Sequence, residues 1–241
     1  ERWEDFKYWT EGVNATVSRM GEEEKRTRLD SLEAFIEATA SERRAAPADD
    51  LISALIEAEV EGRRLNEREL VSLVALLLEA GNETTTLLIG NLLNVLADRP
   101  ELANRIHLDR ELVEPAVEET LRYDSPVQFA NRFTTRKVTV GDTTIPSGAN
   151  VRVILASANR DPDGFPEPDE FRLDRQLSRH VAFGYAIHYC LGAPLARLES
   201  RVVLETLFEA FSSIEHAGEA ERNTVAPAFG GYDKLPLVFG R

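Results

Sequence analysis

The chain has 241 residues, 43% of them hydrophobic, which is enough to bury a substantial core in one domain. Its 42 acidic against 28 basic side chains leave a formal charge of −14, which argues against nucleic acid or an anionic membrane as the main partner. The single cysteine forms no internal disulfide, no uninterrupted apolar run reaches the roughly 18 residues of a membrane helix, and the start shows no signal-peptide pattern; a soluble cytoplasmic protein is the expectation.

The first 123 residues read as helical almost throughout. Trp3, Phe6, Trp9 and Val13 recur at helical spacing in a stretch from Glu1 to Met20 that reads as a chain joined partway through an amphipathic helix. A second helix is predicted from Glu24 to about Arg44, then a loop at AAPADD, then a short helix over LISALIEAEVEG ending at Gly62. Asn66 offers an N-cap with Glu69 three residues on, the spacing of a capping box. From there the helical pattern runs unbroken over 66–98, roughly 50 Å of helix. It is apolar on nearly every face at LVALLL and LLIGNLLNVL, which predicts a central, buried element. Two shorter helices follow, over Glu101–Ile106 and from Pro115, a good first-turn residue, to Tyr123.

After Ser125-Pro126 the composition changes. RKVTVGDTTIPSGANVRVILA alternates and is rich in Val, Thr and Ile, a β-hairpin pattern with its turn at Gly141-Asp142. NRDPDGFPEPDEF is irregular, and one more long helix follows Cys190, with Leu195, Leu198, Val202, Phe208 and Phe211 predicted on its buried face. AFGGYDKLPLVF reads as a second hairpin. The fold class is therefore mainly α with small β hairpins. Its regions are a helical part (1–133), a hairpin and meander (134–182), and a cysteine loop with the final helix and hairpin (183–241).

Cys190 stands in FGYAIHYCLGAPLARLE, with Pro194 in the first turn of the helix that follows. A sulfur there faces unpaired backbone N–H groups and the positive end of the helix dipole, which favour a thiolate. A thiolate serves as nucleophile or metal ligand. One cysteine and four histidines argue against a structural zinc site. A hydrolase pairing Cys190 with His188 and a buried, inert cysteine both remain open on these residues alone.

The neighbours add a resemblance. Phe183, Gly184, His188, Cys190 and Gly192, followed by Leu195-Ala196-Arg197, resemble the haem-binding loop of the cytochrome P-450 family, F-G-x-G-x-H-x-C-x-G-x-x-L-A-R, with Ala186 at the family's second glycine. If that position needs positive φ, alanine costs about 1 kcal/mol. Ala80-Gly81-Asn82-Glu83-Thr84-Thr85 resembles the family's A/G-G-x-D/E-T-T/S motif in its long helix. Glu119-Thr120-Leu121-Arg122 matches its E-x-x-R pair, and Arg132 follows at a family position. NRDPDGFPEPDEFRLDR resembles the family's meander.

The resemblance implies the C-terminal part of the cytochrome P-450 fold, with the N-terminal third or more lying upstream of residue 1. It implies haem b with Cys190 as thiolate ligand, and His188 and Arg132 on its propionates. Phe183, Gly184 and Gly192 would contact the haem from the loop and Ala80 from the long helix. Glu83 and Thr84 would relay protons to dioxygen, and Glu119 and Arg122 would form a buried ion pair bracing the loop, its third member unassigned. Ala80, Thr84, Val127, Phe129, Ala228 and Phe229 would line a pocket for a small apolar organic substrate. The implied reaction inserts one oxygen atom from dioxygen. With no G-x-G-x-x-G fingerprint in the chain, electrons are expected from a ferredoxin and ferredoxin reductase, docking near Arg175, Arg179 and Arg197. The rival reading is a haem-binding fragment without turnover. The 241 residues on their own are expected to expose apolar surface and self-associate.

Overall fold

Caps and turns written into the sequence set most of the element ends. The computed structural model of the chain describes residues 3–13, 20–175, 180–224 and 227–241. These fall into two compact units, Glu1–Glu83 and Thr84–Arg241, each with a core of its own.

The first unit holds α1 (Trp3–Val13), α2 (Glu22–Ala45), α3 (Leu51–Glu57) and the start of α4 (Glu67–Ala97). The remainder of the helix predicted to Met20 lies largely outside the described residues. Leu32, Ile36 and Ala40 recur every fourth residue on α2 and are buried with Trp9, Leu70, Val71 and Val74. The Trp9 ring stacks on Phe35 at 4.8 Å and meets Phe6 edge-on at 5.4 Å. Its one polar group donates to Ser31 Oγ at 3.1 Å, so the indole is buried without an orphaned N–H. Asp50 caps α3 by accepting from the Ser53 N–H at 2.9 Å. That helix was expected to reach Gly62 but stops at Glu57. Glu61 (φ +53°) and Gly62 (φ +77°) turn the chain into a minimal hairpin, β1 (Glu59–Val60) with β2 (Arg63–Arg64). The capping box forms as predicted: Asn66 N donates to Glu69 Oε2 and Glu69 N to Asn66 Oδ1, both at 3.0 Å.

Helix α4 departs from expectation in its environment. Only 22% of its apolar stretch is buried, and by length and composition it is long and apolar enough to cross a membrane, although no uninterrupted apolar run signals this. Buried positions cluster at its two ends, around Leu70–Val74 and from Leu87 to Ala97, and Leu76 between them is exposed.

In the second unit, Leu88, Leu92 and Leu96 of α4 pack with α5 (Pro100–Leu108), α6 (Val113–Tyr123) and α8 (Ala193–Ala210) around Ile106, Val117, Leu121, Leu204 and Phe208. A 3₁₀ turn, Arg110–Leu112, leads into α6, so Pro115 is its third residue and not its first. β3 (Phe129–Phe133) pairs antiparallel with β6 (Asn150–Ile154), and β4 (Val138–Val140) forms a hairpin with β5 (Thr143–Ile145) through Gly141 at φ +55°. The predicted hairpin thus holds its turn, but its last strand leaves to pair with β3. A short helix, α7 (Leu155–Ala158), follows β6.

Two expectations are overturned near the C-terminus. The stretch 228–239 does not fold on itself: β9 (Tyr232–Lys234) pairs with β8 (Glu221–Arg222), and β10 (Leu237–Gly240) pairs with β7 (Ser213–His216). Pro236, which has no N–H to give, stands between β9 and β10, and its carbonyl instead accepts from Ala217 N at 2.9 Å. On α8 Phe208 is buried as predicted, together with Ala193, Ser200 and Leu204, and Phe211 just past the helix is half-buried, whereas Leu195, Leu198 and Val202, predicted on the same face, are exposed. At about 100° per residue the two sets lie on opposite sides of the helix. Both stripes are apolar, and α6 packs on one of them.

Candidate functional site

The cysteine loop is closed by one backbone bond, Cys190 N to Phe183 O at 2.8 Å. Gly184 turns it at φ +75°, and a Cβ there would stand 2.8 Å from the His188 carbonyl oxygen, so both conformation and space demand glycine. Ala186 takes φ +52°, the left-handed region in which an alanine is strained, and opens a 3₁₀ turn, Ala186–His188. Tyr189 N then donates to Ala186 O at 3.0 Å. Cys190 follows with an exposed, unbridged thiol, and its carbonyl accepts from Ala193 N at 3.3 Å as α8 begins, with Pro194 in the first turn. Gly192 has an ordinary φ of −81°, and a Cβ added to it would lie 3.9 Å from the Cys190 sulfur, a normal contact. Local backbone therefore requires glycine at 184 and not at 192. The His188 side chain is exposed.

Glu119 and Arg122 are both 0% exposed and form a two-point ion pair, Nε to Oε2 at 2.8 Å and Nη2 to Oε1 at 2.7 Å. Arg122 also donates to the carbonyls of Asn159 (3.0 Å), Pro168 (2.8 Å) and Glu170 (3.0 Å), which occupies all five guanidinium N–H groups. The unassigned third member is Arg175, whose Nε lies 3.1 Å from Glu119 Oε1 and whose side chain is 8% exposed. Its other nitrogens reach the carbonyls of Pro166, Glu167 and Glu170. This corrects the expectation that Arg175 belongs to a docking surface. The residue was misassigned because its partner lies 56 positions earlier, and no local spacing marks a chain that folds back that far. Of the other two basic residues named for docking, Arg197 is committed to Glu118 and Arg179 lies outside the described residues.

Four predicted pocket residues come together in the second unit. Val127 and Phe229 form a β-bridge, and Gln128 N donates to Ala228 O while Gly230 N donates to Pro126 O, both at 2.8 Å. Phe129 follows as the first residue of β3. Asn91 on α4, buried and unremarked in the sequence, holds this seam with Nδ2 on the carbonyls of Asp124 (2.8 Å) and Gly230 (3.1 Å). A Cβ at Gly231 would collide with Leu87, so the seam lies against α4 one turn after Thr84. Of the other predicted residues on α4, Ala80 is exposed, and Glu83 and Thr84 are half-buried. Ala80 and Glu83 belong to the first unit, Thr84 to the second. Arg132 stands on β3 opposite Val151, and its Nη1 donates to the Asn131 carbonyl at 2.8 Å. Among the described residues no three His, Cys, Asp or Glu side chains gather in a metal-holding group.

Fold and loop thus define a mainly α protein that presents one thiol at a helix start and carries a buried carboxylate–guanidinium brace. The chain belongs to the cytochrome P450 family, whose model matches residues 3–230. It is 45% identical over 197 residues, 82% of its length, to cyclomarin C epoxidase CymV of Salinispora arenicola, of which that match covers 50%. Among solved structures it resembles cytochrome P450 CYP109Q5 from Chondromyces apiculatus (41% identity, TM-score 0.92, 99% of this chain and 60% of that one). It also resembles CYP109E1 from Bacillus megaterium in complex with testosterone (35% identity, TM-score 0.92, 100% and 66%). The chain spans about half the length of the curated relatives it matches.

Proposed function

We propose that this chain is the haem-binding part of a single cytochrome P-450 domain, and that the whole protein is a cytoplasmic monooxygenase inserting one oxygen atom from dioxygen into an apolar organic substrate. The carrying observation is the loop 183–192, closed onto Phe183 and turned through the left-handed region at Gly184 and Ala186 so that an exposed thiol ends it at the start of α8. The donor set fits haem b: the chain offers one thiol, and a porphyrin brings its own four nitrogens. When bound, thiolate-ligated haem supplies the dioxygen chemistry, the thiolate favouring O–O cleavage.

In this reading Cys190 is the iron ligand, held where α8 begins. Phe183, Gly184 and Gly192 would hold the haem from the loop, while His188 and Arg132 would offset its propionate charges. Glu83 and Thr84 hold and pass protons on α4. The seam of Val127, Phe129, Ala228 and Phe229, with Thr84 in the same unit, orients an apolar substrate. Two relatives support that class, one named as an epoxidase and one solved with testosterone. Electrons come from a ferredoxin and its reductase.

The test is the absorbance of the reduced, carbon-monoxide-bound protein. A thiolate-type Soret band that Cys190→Ser abolishes is the expected result. A neutral-ligand band in the unsubstituted protein, or a thiolate band surviving Cys190→Ser, would overturn it. The share of its relatives' length that the chain spans favours a second reading for these 241 residues alone, haem binding without turnover. Haem content measured beside product formation separates the two.

A further inference from the structure

Glu118 precedes the braced Glu119 on α6, yet its carboxylate serves a different set of partners. Arg197 of α8 approaches it twice, Nε to Oε1 at 2.5 Å and Nη2 to Oε2 at 3.1 Å. His180, 3% exposed, places Nε2 at 3.0 Å from Oε2. The Ala182 N–H donates to His180 Nδ1 at 3.3 Å, which makes Nε2 the protonated nitrogen and the donor to Glu118. On its other side Arg197 donates from Nη1 to the Tyr189 hydroxyl at 3.1 Å and lies over the Phe183 ring at 4.6 Å. Phe183 and Tyr189 are the two shoulders of the loop: the first accepts the Cys190 N–H, the second precedes Cys190 in the chain. One guanidinium thus ties a carboxylate on α6 to both shoulders at once.

We propose that Glu118, acting through Arg197, is a positioning residue that sets the direction in which the Cys190 sulfur is presented to the haem; the proposal rests on Cys190 being the ligand. The work is divided between neighbours. Glu119, paired with Arg122, fastens α6 to the segment 159–175, and Glu118 fastens it to α8 and the loop. A planar guanidinium suits this role because it chelates a carboxylate, donates sideways and stacks on a ring at the same time, which an ammonium does not do.

The experiment uses the haem-loaded protein, with haem content fixed independently by extraction. The readout is the ratio of neutral-ligand to thiolate Soret bands in the reduced, carbon-monoxide-bound state, together with the reduction potential. Glu118→Gln and Arg197→Lys are each expected to keep haem and raise that ratio about tenfold, the change that about 1.4 kcal/mol of lost positioning produces. Tyr189→Phe, which removes one phenol oxygen, is expected to raise it by less. An unchanged ratio and potential in Glu118→Gln and Arg197→Lys would overturn the proposal, even with a lowered melting temperature. Should either fail to fold, Tyr189→Phe carries the test, and an unchanged ratio there overturns the proposal. Cys190→Ser run in parallel keeps the two ideas apart. If it retains the thiolate band the ligand assignment fails, and if it loses that band while the other variants do not shift, only the positioning role fails.

Discussion

At the scale of single residues, Ala186 and Gly184 show how one loop can hold a required glycine and a tolerated alanine two positions apart. Both have positive φ, +52° and +75°. Only at 184 does a backbone oxygen stand where a Cβ would go, at 2.8 Å. Ala186→Gly is therefore expected to stabilise the protein by about 0.5–1 kcal/mol, relief of left-handed strain exceeding the entropy glycine adds to the unfolded chain. Gly184→Ala should cost about 2–3 kcal/mol, since a carbonyl cannot swing aside as a side chain can. Denaturant midpoints of the two variants check the opposite signs. Glu118 yields a pH prediction. Burial opposes its ionisation, but hydrogen bonds from His180 and Arg197 outweigh burial and lower its pKa from 4.5 to about 2. Because the folded value is the lower one, the stabilisation is complete above about pH 4.5 and is lost as pH falls toward 2. It amounts to at most about 3 kcal/mol. Stability profiles of the unsubstituted protein and Glu118→Gln should converge at the acid end of that window; parallel profiles would remove Glu118 as the source.

Between elements, the brace from α6 to the segment 159–175 should dominate stability. Arg122 has all five N–H groups engaged at 0% exposure, so Arg122→Leu takes the two-point partner from Glu119, leaves the Asn159 and Pro168 carbonyls without their donor, and is expected to cost about 3–5 kcal/mol. Arg175→Leu leaves Glu119 with Arg122 and the Arg172 N–H at 2.9 Å, and should cost about half as much. A reversed order in urea titrations would mean that Arg175, not Arg122, anchors the carboxylate. The same elements show what the sequence made legible. The Asn66–Glu69 box, the Gly141 turn and the Glu119–Arg122 pair each depend on residues three or fewer apart, and each forms as read. The cysteine loop was legible too, because a lone cysteine two residues before a Gly-Ala-Pro helix start is a local pattern. Strand partners were not. β10 pairs with β7 and β9 with β8 through registers that no short-range turn residue specifies. Arg175 was missed for the same reason: its role exists only once the chain has doubled back.

Taken as a whole molecule, the chain carries more exposed apolar surface than its acidic composition suggests. Periodicity identified the apolar stripes of α4 and α8 correctly as apolar, but it does not say which stripe a neighbour covers, and this is why the buried face of α8 was misread. The outer stripe of α8, Leu195, Leu198 and Val202, is exposed. In the same unit Ile187 (94% exposed) and Leu191 (79%) flank Cys190 on its loop. Soluble monomers rarely expose contiguous apolar patches beyond a few hundred Å², and a charge of −14 slows association without removing the drive to bury such surface. The 241 residues expressed as a chain on their own are therefore expected to self-associate, and more strongly as salt screens their repulsion. Light scattering across a salt series measures this directly. Leu198→Glu combined with Val202→Lys, substitutions on the exposed stripe that leave Leu204 and Phe208 in place, should lower the apparent mass toward 26.9 kDa. A 26.9 kDa species for the unsubstituted chain at every salt concentration would show that the stripe does not drive association.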